Sequence, residues 1–357
     1  MNITAVAARA RVSTATVSRV INGTATVSPE TAQRVREAIE ALNFYPDISA
    51  RTLGSGRSGL YGLIISDITN PYFPELVKAF EDIAVEHGQD VLIANTDYDP
   101  KRMEECVVRM LQRKVDGVAI MTSEMEDRLV KKFSHRQIPT IFMDTRQGMR
   151  GLTTVRVDYD SGIAQGMDHL FALGHRDIAF ISGPLRLNSA VVRLEAFKAS
   201  MVRRGLVVAA ELIEEADHRV EGGRGAMQRI LDGGTDGSAT GARQFTAVAC
   251  SNDLTAIGAI GALQYAGLRI PEDISVIGFD GIELSAYTNP ALTTLHVPRR
   301  EIAATAFRCL FEGRDAAADK RTATREHVFQ SSLVVRYSTA KAVKRPVRAA
   351  QSNRAAN

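Results

Sequence analysis

Three short amphipathic stretches within the first 45 residues constrain this chain more than any other feature. Ile3, Val6, Ala7 and Ala10 recur at spacings of three and four, which places them on one helix face. Asn2 is a candidate N-cap, and Ser13 is a stronger one, opening a second helix over 14–22. In that helix Val17, Val20 and Ile21 point inward. Ser28-Pro29, a cap followed by proline at the first helical position, starts a third helix over 28–42. Val35, Ala38, Ile39 and Leu42 form its buried stripe. Three such helices, with a tight turn between the first two, predict a helix-turn-helix; the alternative is a generic small three-helix subdomain.

The outer face of the second helix carries Thr14, Ala15, Ser18, Arg19 and Asn22, and no acid. A solvated surface helix usually carries Glu and Lys there. A small, hydroxyl-rich face with one arginine suits insertion into a DNA major groove. Ser13, Thr16 and Ser18 are candidates for phosphate contacts, and Thr14, Ala15 and Arg19 for base edges, with Arg19 best suited to guanine O6/N7.

Charge supports a polyanion at that end. The net charge is +3 overall. Residues 1–58 hold seven Arg and four acids, residues 339–357 hold five Lys/Arg and no acid, and the segment between them therefore carries −5. Basic ends on an acidic middle place the nucleic acid at the N-terminus. The basic C-terminal stretch reads as a disordered, soluble extension. No apolar run is long enough for a spanning helix, and no secretory signal pattern opens the chain. Cys106, Cys250 and Cys309 are odd in number and far apart, which fits reduced thiols in a cytoplasm.

From residue 60 onward short apolar runs alternate with helical stretches. Strands are predicted over 61–65, 90–94, 117–121, 140–143, 177–182, 246–250 and 274–279. Helices are predicted over 74–87, 101–113, 161–173, 190–204, 254–266 and 299–312. This alternation argues for parallel sheets covered on both faces. About ten strands, as expected here, suit two lobes better than one sheet, with a ligand cleft at the strand C-termini. Candidate ligand groups lie just past strand ends: Asn70-Pro71-Tyr72-Phe73, Asp144, Ser189 and Arg193, Asn252-Asp253, and Asp280. Carboxylates, amides and an arginine beside aromatic rings suit a polyhydroxylated ligand. For Asp253 and Asp280 a plain helix N-cap is the competing reading. The segment 232–244 reads as a long surface loop.

Gly54-Ser55-Gly56-Arg57-Ser58-Gly59 matches the dinucleotide-binding pattern, but it precedes a strand instead of following one, so it reads as a tether. No P-loop, HExxH or GxSxG motif is present, and the seven histidines show no metal spacing. No cofactor, no metal and no enzymatic activity are expected. A solute-binding protein for transport is allowed by the core and opposed by the N-terminal helices.

The N-terminal residues resemble the LacI/GalR family of bacterial regulators. The match runs through Ile3, Val6-Ala7, Ala10, Val12-Ser13, Thr16-Val17-Ser18-Arg19-Val20 and Asn22. It continues in Val27-Ser28, Thr31, Arg34-Val35, Pro46 and Ala50-Arg51-Thr52-Leu53, and covers roughly 2–338. Two positions depart from the family pattern: Ala5 stands where Asp is usual, and Arg11 where Gly or Asn occupies the turn. Asn70-Pro71-Tyr72-Phe73, Val115-Asp116-Gly117, Leu173-Gly174-His175-Arg176, Ser251-Asn252-Asp253 and Gly278-Phe279-Asp280 look like family landmarks.

The resemblance implies an N-terminal all-α helix-turn-helix domain and an α/β two-lobed, periplasmic-binding-protein-like core with parallel sheets. The expected domains are a reader at 1–45, a hinge helix and linker at 46–59, an effector-binding and dimerisation core at 60–338, and a basic tail at 339–357. Lobe 1 is expected at about 60–160 and 291–320, lobe 2 at about 161–290 and 321–338. It also implies that Tyr72, Asp144, Arg193, Asn252 and Asp280 contact the effector, with Phe73, Ser189 and Asp253 beside them. Leu187 stands where a purine-binding relative has arginine, which leaves a sugar, sugar acid or sugar phosphate. The expected function is a cytoplasmic transcriptional regulator, a repressor, whose affinity for operator DNA is set by such an effector. One helix-turn-helix reads one half-site, so a homodimer on palindromic double-stranded DNA is expected, with no membrane partner.

By the same resemblance the 46–53 segment folds only on DNA, beside its twin from a second subunit, with Arg51 on the DNA and Leu53 levered into a minor-groove step. Two helical turns alone are marginal in water. Leu53→Ala is therefore expected to weaken specific operator binding by on the order of 2 kcal/mol while leaving effector binding intact. Equal operator affinity of the two proteins in fluorescence anisotropy would refute the wedge.

Overall fold

The computed structural model describes residues 2–21, 27–45, 57–122, 126–143, 153–233, 245–313 and 325–343. The chain divides into two compact units, Met1–Gly59 and Leu60–Asn357.

In the first unit the described helices are α1 (Ile3–Ala10), α2 (Thr14–Ile21) and α3 (Pro29–Ala41). Asn2 caps α1 by accepting from the Ala5 N–H at 3.1 Å, and Ser28 caps α3 by accepting from the Thr31 N–H at 3.3 Å. Val6, Ala7, Ala10, Val17, Val35 and Ala38 are buried together, with Val20, Ile21, Ile39 and Leu42 packed against them. Arg11 ends α1 with φ 54° and ψ 49°, the left-handed conformation that glycine or asparagine occupies more cheaply. Keeping arginine there costs about 1 kcal/mol. The hinge expected at 46–53 lies outside the described residues.

The second unit holds two six-stranded sheets among its described residues. The first contains β1 (Leu60–Ile65), β2 (Asp90–Asn95), β3 (Gly117–Met121), β4 (Thr140–Met143), β5 (Thr153–Asp158) and β11 (Arg325–Gln330), in the order β11-β5-β4-β3-β1-β2. The second contains β6 (Ile178–Ser182), β7 (Ile213–Glu215), β8 (Ala247–Cys250), β9 (Ser275–Asp280), β10 (Thr293–His296) and β12 (Ser332–Val334), in the order β12-β10-β9-β8-β6-β7. All pairings are parallel except β10 with β12. β3, β6 and β9 are buried along their whole length, which is why they read as unbroken apolar runs.

The helices of this unit are α4 (Tyr72–Glu86), α5 (Pro100–Gln112), α6 (Asp127–His135), α7 (Tyr159–Ala172), α8 (Asn188–Arg203), α9 (Val220–Asp232), α10 (Asp253–Tyr265) and α11 (Arg299–Gly313). The chain crosses between the sheets after β5, after β10 and again between β11 and β12. These last crossings differ from the expected boundaries. β10 belongs to the second sheet and β11 to the first, so residues 293–296 lie in lobe 2 and 325–330 in lobe 1.

Residues 339–343, expected to belong to a disordered tail, are bonded to the core. Ala342 donates to Leu173 O at 2.9 Å, and His175 Nε2 donates to Ala340 O at 2.9 Å. The Leu173-Gly174-His175 landmark is thus a helix end, with Gly174 at φ 94°, that binds the chain's last described stretch.

The lobes are packed tightly. In lobe 1 Phe307 on α11 meets Phe80 on α4 at 5.5 Å and Tyr61 on β1 at 5.1 Å, and each ring is fully buried. Each such burial contributes about 1.5–3 kcal/mol. In lobe 2 α9 and α10 touch through glycines. A Cβ on Gly258 would stand 2.0 Å from Val220 O, and one on Gly223 2.3 Å from Thr255 O. Those are backbone atoms and cannot swing aside. Gly258→Val is expected to destabilise lobe 2 by ~3 kcal/mol or more, seen as a lowered thermal midpoint in calorimetry; an unchanged midpoint would contradict this packing.

Candidate functional site

Because the strands of each lobe run parallel, their carboxyl ends collect on one edge, and the two edges face each other across a cleft with about 560 Å3 of open space. Ser66 follows β1, Thr122 follows β3, Met143 ends β4 and Tyr159 follows β5; all four line the cleft. From the other lobe come Leu187, Ser189 and Arg193 after β6, His218 after β7, Asn252 after β8 and Asp280 at the end of β9. Of the residues expected from sequence, Tyr72, Phe73, Ser189, Arg193, Asn252 and Asp280 are brought together here. Asp144 lies outside the described residues.

Arg193 is the electrostatic centre of this wall. Its guanidinium lies 4.4 Å from the centre of the Tyr159 ring and 4.7 Å from that of Phe279. Nη1 donates to Ser251 O at 2.9 Å, and Nη2 stands 3.8 Å from Asp280 Oδ1. Tyr72 and Phe73 meet edge to face at 5.3 Å on the opposite lobe. A polar pair between aromatic faces offers both charges to a ligand's hydroxyls and apolar surface to its ring.

Neither acid proves to be a helix cap, since Asn252 caps α10 by accepting from the Thr255 N–H at 2.9 Å. Asp253 does not line the cleft. It is fully buried behind it, accepting from Ile282 N at 2.8 Å and from the Thr294 hydroxyl. The sequence motif placed it beside Asn252, but its helical direction turns it toward the 280–282 turn. Asp280 itself has φ 110°, a conformation costing a non-glycine residue on the order of 1–3 kcal/mol. The turn is held by Arg299, which donates to the carbonyls of Asp280 and Gly281 (2.7 Å to the latter) and pairs with Glu75 at 2.7 Å.

His218, Tyr98 and Tyr159 are cleft residues that sequence reasoning missed. His218 is bonded through Nε2 to Ser251 Oγ at 2.8 Å, and a Cβ on Gly183 would stand 1.8 Å from that nitrogen. Burial, with Arg193 and Arg186 nearby, pushes its pKa down to about 3, so the ring is neutral at physiological pH. Burial holds Asp253 well above the usual carboxylate range, and the neighbouring Asp280 adds to the shift. Burial likewise raises Asp280 to about 6, against the opposing pull of Arg193 and Arg299.

On the N-terminal unit Thr14, Ala15 and Arg19 are exposed along α2, and Thr16 and Ser18 are half-buried. Ser13 is spent on the helix start: Oγ accepts from the Thr16 N–H at 3.1 Å and pairs with the Thr16 hydroxyl at 2.9 Å. Asn22, Arg51 and Leu53 lie outside the described residues. Among the described residues no cluster of His, Cys, Asp or Glu could hold a metal ion, and no helix is long and apolar enough to cross a membrane.

Two family models match the chain: bacterial regulatory proteins of the lacI family over residues 2–47, and a periplasmic binding protein-like domain over 167–339. The HTH-type transcriptional repressor PurR of Erwinia tasmaniensis is 35% identical over 338 residues, spanning 94% of this chain and 96% of that protein. The chain belongs to the lacI family. As a lacI-family regulator it pairs a helix-turn-helix DNA-binding segment with a ligand-binding core. Among solved structures, a lac repressor dimer bound to operator and the anti-inducer ONPF has a TM-score of 0.82 at 28% identity, over 95% of this chain and 99% of that one. The transcriptional regulator CelR in complex with cellobiose has a TM-score of 0.69 at 26% identity, over the same shares.

A ligand hydroxyl that donates to Asp280 needs the ionised carboxylate, and binding then favours proton loss. Affinity in this regulator is therefore expected to rise as pH increases through about 6 and to level off above it, with protons released on binding near pH 6. Asp280→Asn is expected to remove both effects in calorimetry at pH 5–8. A proton-linked profile surviving in that variant would assign the titration to another group.

Proposed function

We propose that this protein is a transcriptional repressor that acts as a homodimer on a palindromic operator in the bacterial cytoplasm and whose operator affinity is set by a sugar or sugar derivative. The buried Arg193–Asp280 pair between aromatic rings carries the ligand reading. Each hydroxyl of a polyol both donates and accepts, and this wall offers a carboxylate, a guanidinium and the Asn252 amide within one pocket. Leu187 is apolar and buried where the purine-binding pattern calls for arginine, which favours the sugar. The structural neighbour solved with cellobiose supports the same class.

Tyr72, Phe73, Ser189, Arg193, Asn252 and Asp280 hold the effector in this reading; Asp144 completes the set from the opposite lobe, and Asp253 shapes the turn behind it. The protein binds its ligand without turning it over. Effector changes the relation of the two lobes, and the reader and hinge follow. A ligand moves operator affinity only by its differential affinity for the two lobe arrangements. Thr14, Ala15 and Arg19 read base edges, Thr16 and Ser18 contact phosphates with Ser13 beside them at the helix start, Asn22 shares that DNA-facing surface, and Arg51 and Leu53 act where the hinge meets a minor-groove step.

The test is fluorescence anisotropy on DNA from upstream of the protein's own gene and its neighbours, across a panel of sugars and sugar acids. Tight, salt-sensitive binding altered by a sugar is expected. Arg19→Ala is expected to cost about 1–3 kcal/mol on the specific site and far less on random DNA. Binding altered by a nucleobase and by no sugar would overturn the ligand reading.

A further inference from the structure

The three chain crossings lie at one edge of the paired sheets, among β5, β10, β11 and β12. The opposite edge, where β1 and β2 face β6 and β7, is the only side on which the lobes meet without a covalent connection among the described residues. Side chains join them there. Arg219, just past β7, directs Nη2 to Asp67 Oδ2 and to Asp97 Oδ1, each at 3.1 Å, and Nε to Asp67 Oδ2 at 3.3 Å. Arg186, past β6, lies over the Tyr98 ring at 5.6 Å, and Tyr98 lines the cleft.

The loop that presents Asp97 and Tyr98 is built under strain. Both residues are left-handed, at φ 53° and 56°, and neither is glycine. Two such residues in succession persist only where surrounding bonds over-determine them. Thr96 N donates to Ile65 O at 3.0 Å, and Asp99 caps α5 through the Lys101 N–H at 2.7 Å. On the other lobe Asp217 Oδ1 accepts from the Arg219 N–H at 2.9 Å, and a Cβ on Gly222 would stand 1.9 Å from the same oxygen. Both sides of the junction are therefore held in place.

Resting on the sugar reading above, we propose that Arg219, Asp67 and Asp97, with the Tyr98–Arg186 stack, form a gate across the cleft mouth that sets ligand length: it encloses one sugar ring and excludes a second. A ring between Arg193, Asp280 and Tyr72 lies inside the gate. A second ring carried toward the β2–β7 edge meets these contacts. These residues select ligand size and need not touch the enclosed ring.

The sequence contains no tryptophan, so Tyr98→Trp places a single reporter at the gate. Acrylamide quenching of the ligand-free, full-length protein is measured with and without Arg219→Gln. At least a twofold rise in quenching is expected when Arg219 is removed, and equal quenching overturns the gate. Hydrogen exchange of the 96–99 segment in the otherwise unaltered chain, with and without Arg219→Gln, decides the same point without the reporter. Calorimetry with glucose, ribose and cellobiose then tests selection. The unaltered protein is expected to bind a monosaccharide at least tenfold more tightly than cellobiose, and Arg219→Gln to shrink that ratio. Cellobiose bound as tightly as the monosaccharides overturns the gate and leaves the sugar reading standing. Binding of none of the three, with no member of the wider sugar and sugar-acid panel altering operator binding, overturns the sugar reading, and the quenching and exchange results then decide the gate alone.

Discussion

In a parallel sheet every strand delivers its next residue to the same edge, and in this core two such edges confront one another. Most of the functional architecture follows from that arrangement. Cleft-lining groups come from six or more separate loops because each strand end contributes to the edge. The same geometry gives the cleft a rigid floor, since β3, β6 and β9 beneath it are buried along their whole length.

The turn at Asp280 shows how that floor is tensioned. A left-handed aspartate is held by Arg299 on its carbonyl, by Asp253 on the next N–H but one, and by Thr294 on Gly281 N. Arg299 is also paired with Glu75 from the helix that carries Tyr72 and Phe73, and its guanidinium lies 5.6 Å from the Tyr72 ring. One buried cation thus touches the turn that carries Asp280 and the helix that carries Tyr72 and Phe73. A shift of either lobe is felt at the other through a contact a few ångströms long, without a relay of many residues.

The three N-terminal helices and six of the eight core helices were legible from their apolar spacing, and the central strands β1, β3, β6, β8 and β9 from their apolar runs; α6 and α9, which start without a side-chain cap, were not. Arg11, which departs from the family's Gly or Asn in the turn, proves to be left-handed at φ 54°. Five strands were not legible: β5, β7, β10, β11 and β12. β11 is short and mostly polar, with Val328 and Phe329 its only apolar residues, β7 is three residues long, and β10 carries buried threonines whose hydroxyls pair with Asp253 and Thr339. Missing those strands displaced the lobe boundaries. In the site, Tyr72, Arg193, Asn252 and Asp280 stood beside recognisable strand ends. His218 follows a strand too short to see, and Tyr98, although just past the recognised 90–94 strand, sits in a strained loop whose conformation its residue types do not announce. Asp253 was over-read because adjacency in sequence on a helix start does not imply a shared direction.

The interleaving of the two lobes also governs the order in which the protein can be made. Lobe 1 lacks an edge strand until residues 325–330 exist, and lobe 2 lacks its last ladder and the clasp on His175 until 332–342 exist. The helix-turn-helix, by contrast, holds its own small core within residues 2–45. On the ribosome the DNA-reading segment therefore completes its packing some three hundred residues before either half of the sensor can close its sheet.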